Sequence, residues 1–295
     1  MKSGISSSKL DLVAQLKIGT SPLLDVAYFL VLTFGLSWLV WIPGSFLLIN
    51  GSQGIGNFLL ALGSFVPLAV AFYLNLFARR RTFEWGQWFK TLTLRQVLVA
   101  LVLCALTLLP IMLLRVYWGT FNFGHFLSDL RDAPLLFVGL VVIAFGEEVG
   151  WRGFLLARLE SFNLVVVNFI IAFAWFAWQI PVLFTLQTDA FQGDNNQFFA
   201  AYLLFSLLIT PFLNRLALRS QRNVLLPTLL RAGLKTIFAI YALQGTLDLL
   251  THPFGVGALA WLVVLNVLLF EQLWLGRIRQ DSELERVMPL EPVVK

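Results

Sequence analysis

Three short stretches of this chain place chemically capable side chains inside otherwise apolar sequence. The first is Glu147-Glu148-Val149-Gly150-Trp151-Arg152. On a helix, Glu148 and Arg152 stand four residues apart with the acid nearer the N-terminus, the better order for an ion pair. Glu147 is turned about 100° from Glu148, which lets it face a different neighbour. Two adjacent carboxylates in a medium of low dielectric repel, so one is held neutral or becomes a strong base. The same three side chains could equally form a buried ionic staple between helices, and spacing alone leaves both readings open.

The second stretch runs from Trp175 to Pro181 and carries Gln179. Pro181 should kink its helix and release the carbonyl near Ala177. Spacing by itself favours Gln179 as a polar residue serving that defect. The third is Arg231-Ala232-Gly233-Leu234-Lys235, one turn after Pro227. Two cations four residues apart repel, so a shared anionic partner is expected. Glu147 and Glu148 are the acids deep enough to supply it; Glu271 lies too close to a span end.

The elements that hold these residues are set by composition. Apolar residues make up 59% of the 295 and charged residues 13%, with a mean hydropathy of +0.82. A soluble domain carries roughly 45–50% apolar and about 25% charged residues. A chain this apolar needs the bilayer as its solvent. The expected fold is all-α, a polytopic membrane helical bundle with about eight transmembrane helices. Apolar stretches place the spans at approximately 26–49, 55–78, 96–114, 134–159, 163–185, 197–216, 222–245 and 255–275. The fourth is apolar only as far as Gly146, where the first motif begins. The run 26–49 has no small-residue cleavage site after it and reads as a retained helix.

Basic residues test this layout independently. With the N-terminus inside, 16 of the 21 Lys and Arg residues fall on the cytoplasmic side. Arg115 and Arg131 fall outside, and the remaining three are Arg152, Arg231 and Lys235, within spans. A charge at the bilayer centre costs at least about 2.5–3.5 kcal/mol on insertion scales. Such residues face a cavity or each other. At about 1.5 Å per residue, Glu147 lies roughly 18 Å from the cytoplasmic end of its span near Leu159, Gln179 about 24 Å from Asn163, and Arg231 and Lys235 about 14 and 20 Å from Arg222. A single polar cavity is therefore geometrically allowed.

Other chemistries are poorly supplied. The single cysteine, Cys104, excludes an intramolecular disulfide and a Cys-based zinc site. The two histidines, His125 and His252, fall in expected loops. The net charge of +5 sits at membrane boundaries, where it reads as topology and attraction to anionic lipid, not nucleic-acid binding.

In order and spacing, the three motifs resemble the CAAX prenyl protease and bacteriocin-processing family, also called the CPBP or Abi intramembrane proteases. Its first motif, Glu-Glu-x-x-x-Arg, is matched by Glu147, Glu148 and Arg152. Its second, an aromatic residue followed four positions on by His, is matched in frame by Trp175, with Gln179 at the His position. Its third, His-x-x-x-Asn or His-x-x-x-Asp, is met by Arg231 and Lys235. The similarity covers about residues 134–250. It implies a glutamate-type intramembrane endopeptidase in which Glu147 activates water, Glu148 and Arg152 orient the site, and the third-motif positions polarise the scissile carbonyl or, in an older proposal, bind metal. Gln179 can orient water but cannot shuttle a proton. Arg231 and Lys235 could stabilise an oxyanion or clamp Glu147 and weaken it as a base. Without imidazoles, neither a metal nor another cofactor is expected.

The corresponding organisation is a cytoplasmic segment 1–25, N-terminal spans 26–133, a family-like core 134–250, a last span 251–276 and a cytoplasmic tail 277–295. Three functions follow. One is an intramembrane peptidase acting on a membrane-associated protein or peptide. Another is a catalytically inactive relative that binds or scaffolds membrane proteins. The third, a transporter, lacks the paired repeats and matched broken helices of that class. The expected location is an integral one in a plasma membrane of bacterial type, with both termini cytoplasmic.

Overall fold

The computed structural model describes residues 22–77, 92–117, 123–190, 195–220, 222–242 and 256–275. The N-terminal segment, most of the basic loop after residue 78, His252 and the tail 277–295 lie outside them. All the regular structure described is helical: α1 (Pro22–Ile49), α2 (Gln53–Ser64), α3 (Val66–Phe77), α4 (Leu94–Tyr117), α5 (Phe123–Glu148), a π-helical segment (Val149–Leu155), a closing turn α6 (Leu156–Arg158), α7 (Leu164–Ala190), α8 (Asn195–Arg219), α9 (Leu225–Ala242), α10 (Val256–Leu268) and a second π-helical turn (Glu271–Leu275). As far as they are described, the expected spans fall on these helices, that of 55–78 on two of them. Five are long and apolar enough to cross a bilayer: Pro22–Ile49, Gln53–Leu76, Ala133–Arg158, Leu164–Thr185 and Gln197–Arg219. The chain is a helical membrane bundle whose outer belt is exposed Leu, Val and Phe, such as Val31, Leu39 and Leu135. In lipid such side chains cost nothing, and helices satisfy their own backbone groups.

Three details depart from the sequence reading. Helix α5 begins at Phe123, well before 134, so His125 and Asp129 ride on a helix and not in a loop. Pro134 sits inside it, in a helix whose neighbours can absorb the lost hydrogen bond. The span 53–76 is broken at Phe65 into α2 and α3. Helix α7 runs unbroken through Pro181, and the carbonyls bonded from outside are those of Trp178, which accepts from Trp38 Nε1 at 3.0 Å, and Pro181, which accepts from Ser45 Oγ at 3.0 Å.

The α2–α3 break seats the first motif. A Cβ on Gly146 would come within 2.9 Å of the Phe65 ring, and one on Gly150 within 2.4 Å of Pro67 Cβ and 2.9 Å of its carbonyl oxygen. These two glycines, one turn apart, let the end of α5 lie directly on the break. The helix then widens into the π segment, whose seven residues are all buried. Such insertions re-aim side chains and recur at functional sites.

Around this segment lies an aromatic core. Trp151 packs edge-on against Phe29 and Trp178, at centroid distances of 5.7 and 5.4 Å, and Trp178 reaches Trp41 at 4.4 Å. Helix α1 is thereby tied to the π segment and α7. On the other side α9 packs along α5 and carries the third motif.

Candidate functional site

Helices α5 and α9 bring five of the six candidate residues into one ion-paired network. Glu148 Oε1 accepts from Arg152 Nη1 at 3.1 Å and from Arg231 Nη1 at 2.9 Å. Glu147 Oε1 accepts from Lys235 Nζ at 2.7 Å, and its Oε2 pairs with Arg231 Nη2. Arg231 therefore bridges both carboxylates. Glu147 and Glu148 both face α9, not separate neighbours, because the fork of one guanidinium spans the 100° between them. The shared anion expected for Arg231 and Lys235 is Glu147.

Burial is nearly complete. Glu147 and Glu148 are wholly inaccessible and Arg231 is 3% exposed, while the Lys235 side chain keeps 30% of its surface. Charges so deep survive only when paired. Counted as ionised, the five groups carry two negative and three positive charges, a net +1. Their hydrogen-bonding capacity is not exhausted: Glu148 Oε2, Arg152 Nη2 and Arg231 Nε have no partner among the described residues.

The network has further support, most of it from residues outside the motifs. The Trp175 ring lies under both guanidinium groups, 4.2 Å from Arg231 Cζ and 5.8 Å from Arg152 Cζ; such stacking stabilises a desolvated cation. Tyr202, on α8, lies tilted against the Trp175 ring at a centroid distance of 6.1 Å. Arg152 Nε donates to Asn214 Oδ1 at 3.2 Å, Asn214 Nδ2 to Asn168 Oδ1 at 2.9 Å, and Asn168 Nδ2 to the Leu273 carbonyl at 3.4 Å. This buried amide relay anchors the network to α7, α8 and the terminal π turn. The signal in sequence was an asparagine within an apolar span, the same signal that picked out the charges.

Gln179 is not part of the network. It is buried, one turn beyond Trp175 on α7, and makes no hydrogen bond among the described residues. Nor do these residues fit a metal. No group of three or more His, Cys, Asp or Glu side chains capable of holding one is present among the described residues. The places around the carboxylates are filled by three cationic side chains, which a metal ion would have to displace.

Residues 129–237, which carry every member of the ion-paired network, match the family model described as type II CAAX prenyl endopeptidase Rce1-like. A curated relative, CAAX prenyl protease 2 of Methanococcus maripaludis, is 26% identical over 219 residues, covering 68% of this chain and 78% of its own length. Over residues 129–237 the chain is thus similar to the type II CAAX prenyl endopeptidases, with the first motif whole and the second and third altered at Gln179, Arg231 and Lys235.

Proposed function

We propose that this chain is a pseudoprotease of the CPBP family, using the endopeptidase fold to bind a membrane-associated protein or peptide without cutting it. The observation that carries this reading is the double engagement of Glu147: one carboxylate oxygen is held by Lys235 and the other by Arg231. A general base must reach a water and take its proton. A carboxylate flanked by two cations in a dry setting is a weak base, because its ionised form is strongly favoured. The group that would relay the proton is Gln179, which has no acidic or basic function and stands outside the network. On this reading the chain lacks both an available base and a proton carrier.

The sidedness of the basic residues supports cytoplasmic termini in a plasma membrane of bacterial type, with the Lys235 end of the network as the approach for a partner. An active peptidase is the reading to be tested against. Full-length protein in liposomes is offered a farnesylated peptide ending in a CAAX sequence, and products are followed by mass spectrometry. The pseudoprotease reading expects binding without cleavage. It also expects Glu147→Ala to lower yield and thermal stability, since that change strands Arg231 and Lys235 without Glu147. Cleavage by the native chain that disappears in a normally expressed Glu147→Ala protein would falsify it.

A further inference from the structure

Helix α9 has a second functional face. Arg231 and Lys235 point into the network, while Leu229, Gly233 and Thr236 lie on the opposite side of the helix. There they form the floor of a cleft of about 420 Å³ between α4 and α5, within the usual size range of ligand sites. Both helices pack on α9 but not closely on each other among the described residues, so the gap between them stays open. Helix α4 lines it with Val97, Ala100, Leu101 and Cys104, a stripe of helical period about 10 Å long.

The lining selects an apolar occupant. Its two polar side chains are already engaged: Thr236 Oγ1 donates to the Ala232 carbonyl at 2.8 Å, and Cys104 Sγ to that of Leu230 at 3.5 Å. At one wall Gly233 lets Cys104 Sγ seat directly on α9, since a Cβ there would lie 2.6 Å from the sulfur. The rim is continuous with the lipid-facing belt, since Leu101 is 56% exposed and Val138, next to the lining residue Phe137, is 60% exposed.

We propose that this cleft is a binding site for one acyl chain of a bilayer phospholipid, entering from the lipid-facing rim at Leu101. It is independent of whether the network performs chemistry. A bound chain would buttress α9 from behind and press the stripe bearing Arg231 and Lys235 toward Glu147.

The full chain is reconstituted in nanodiscs containing phosphatidylglycerol with a diazirine midway along one acyl chain, irradiated, and its labelled peptides are mapped by mass spectrometry. Labelling is expected to be several-fold denser on residues 97–104 and 229–237 than on the exposed face of α1 around Leu36 and Leu39. The rim variants Val97→Trp and Leu101→Trp, checked for unchanged thermal unfolding, should reduce that excess. Uniform labelling around the belt, or an excess insensitive to both tryptophans, would overturn the site. Displacement of the label by a farnesylated peptide but not by unlabelled phospholipid would overturn the assignment to a bilayer lipid in favour of a lipid-modified tail.

Discussion

Two buried charge clusters sit six residues apart on one stretch of chain, and they are built differently. Arg158, in the last helical turn after the π segment, donates from Nε to Asp25 Oδ2 at 3.1 Å and from Nη2 to Asn75 Oδ1 at 3.3 Å, with its guanidinium 4.7 Å from the Phe154 ring. Asp25 occupies the first turn of α1 and Arg158 the last turn of α6. Each charge therefore has the favourable sign for its helix end. Glu147, Glu148 and Arg152 have no such help, because α5 passes into the π segment without a free terminus. Five groups must satisfy one another through side chains alone. The outer cluster is a clamp near a boundary where water is close. The inner one is a set of counter-ions closed on every side but the partly exposed Lys235 edge.

Removing a shared member of the inner set should therefore cost most. Arg231→Met leaves Glu148 with Arg152 and Glu147 with Lys235, each short of one cation. Breaking a buried pair in this way costs about 3–5 kcal/mol. We expect that loss as a large fall in thermal unfolding temperature and yield in detergent. A variant as stable as the native chain would show that the carboxylates do not depend on Arg231, and the contrast between the clusters would collapse. Asp25→Asn should cost less, about 1–3 kcal/mol for a hydrogen bond to a charged group, since the shorter of two supports for Arg158 is weakened and helix ends and Asn75 remain. Equal losses for the two variants would argue that depth is irrelevant.

The same contrast explains what could be read from the sequence. Span positions, the meeting of Arg231 and Lys235 with the glutamates, and the cost of burying them all follow from the hydropathy pattern and a fixed helical rise. The π segment does not: widening a helix by one residue leaves no mark in hydropathy, yet it governs where Arg152 points. The break at Phe65 was hidden for a related reason, as Val66 and Pro67 continue an apolar run. Gln179 holds the second-motif position in the sequence frame, but a frame says nothing of partners, and Gln179 takes no part in the hydrogen bonds and ion pairs of the network. The relay through Asn214 and Asn168 was missed because only charged residues and Gln179 were weighed as costly in a span.

That relay offers an intermediate case. Asn214→Leu keeps the volume but leaves Arg152 Nε and Asn168 Oδ1 without their partners. The unsatisfied groups should cost about 1–3 kcal/mol, read as a lowered denaturation midpoint in detergent. A neutral result would mean that Arg152 is held by Glu148 and Trp175 alone, and that the terminal π turn is not coupled to the network.

The smallest effect is expected at Lys235, and it separates position from charge. Its ammonium lies 2.7 Å from Glu147 Oε1, yet its side chain is 30% exposed. Partial hydration screens that contact, and its lysine stem can move the charge toward solvent at little cost. Lys235→Met should therefore destabilise by no more than about 1 kcal/mol, with Arg231 still neutralising Glu147. A double-mutant cycle with Glu147→Gln measures the coupling directly. A coupling for Lys235–Glu147 well below that for Arg231–Glu148 would make Lys235 the loose edge of the network and the side on which a bound partner could reach Glu147. A coupling as large as that of Arg231 would mean the exposed edge is as firmly locked as the interior, leaving no route by which Glu147 is released.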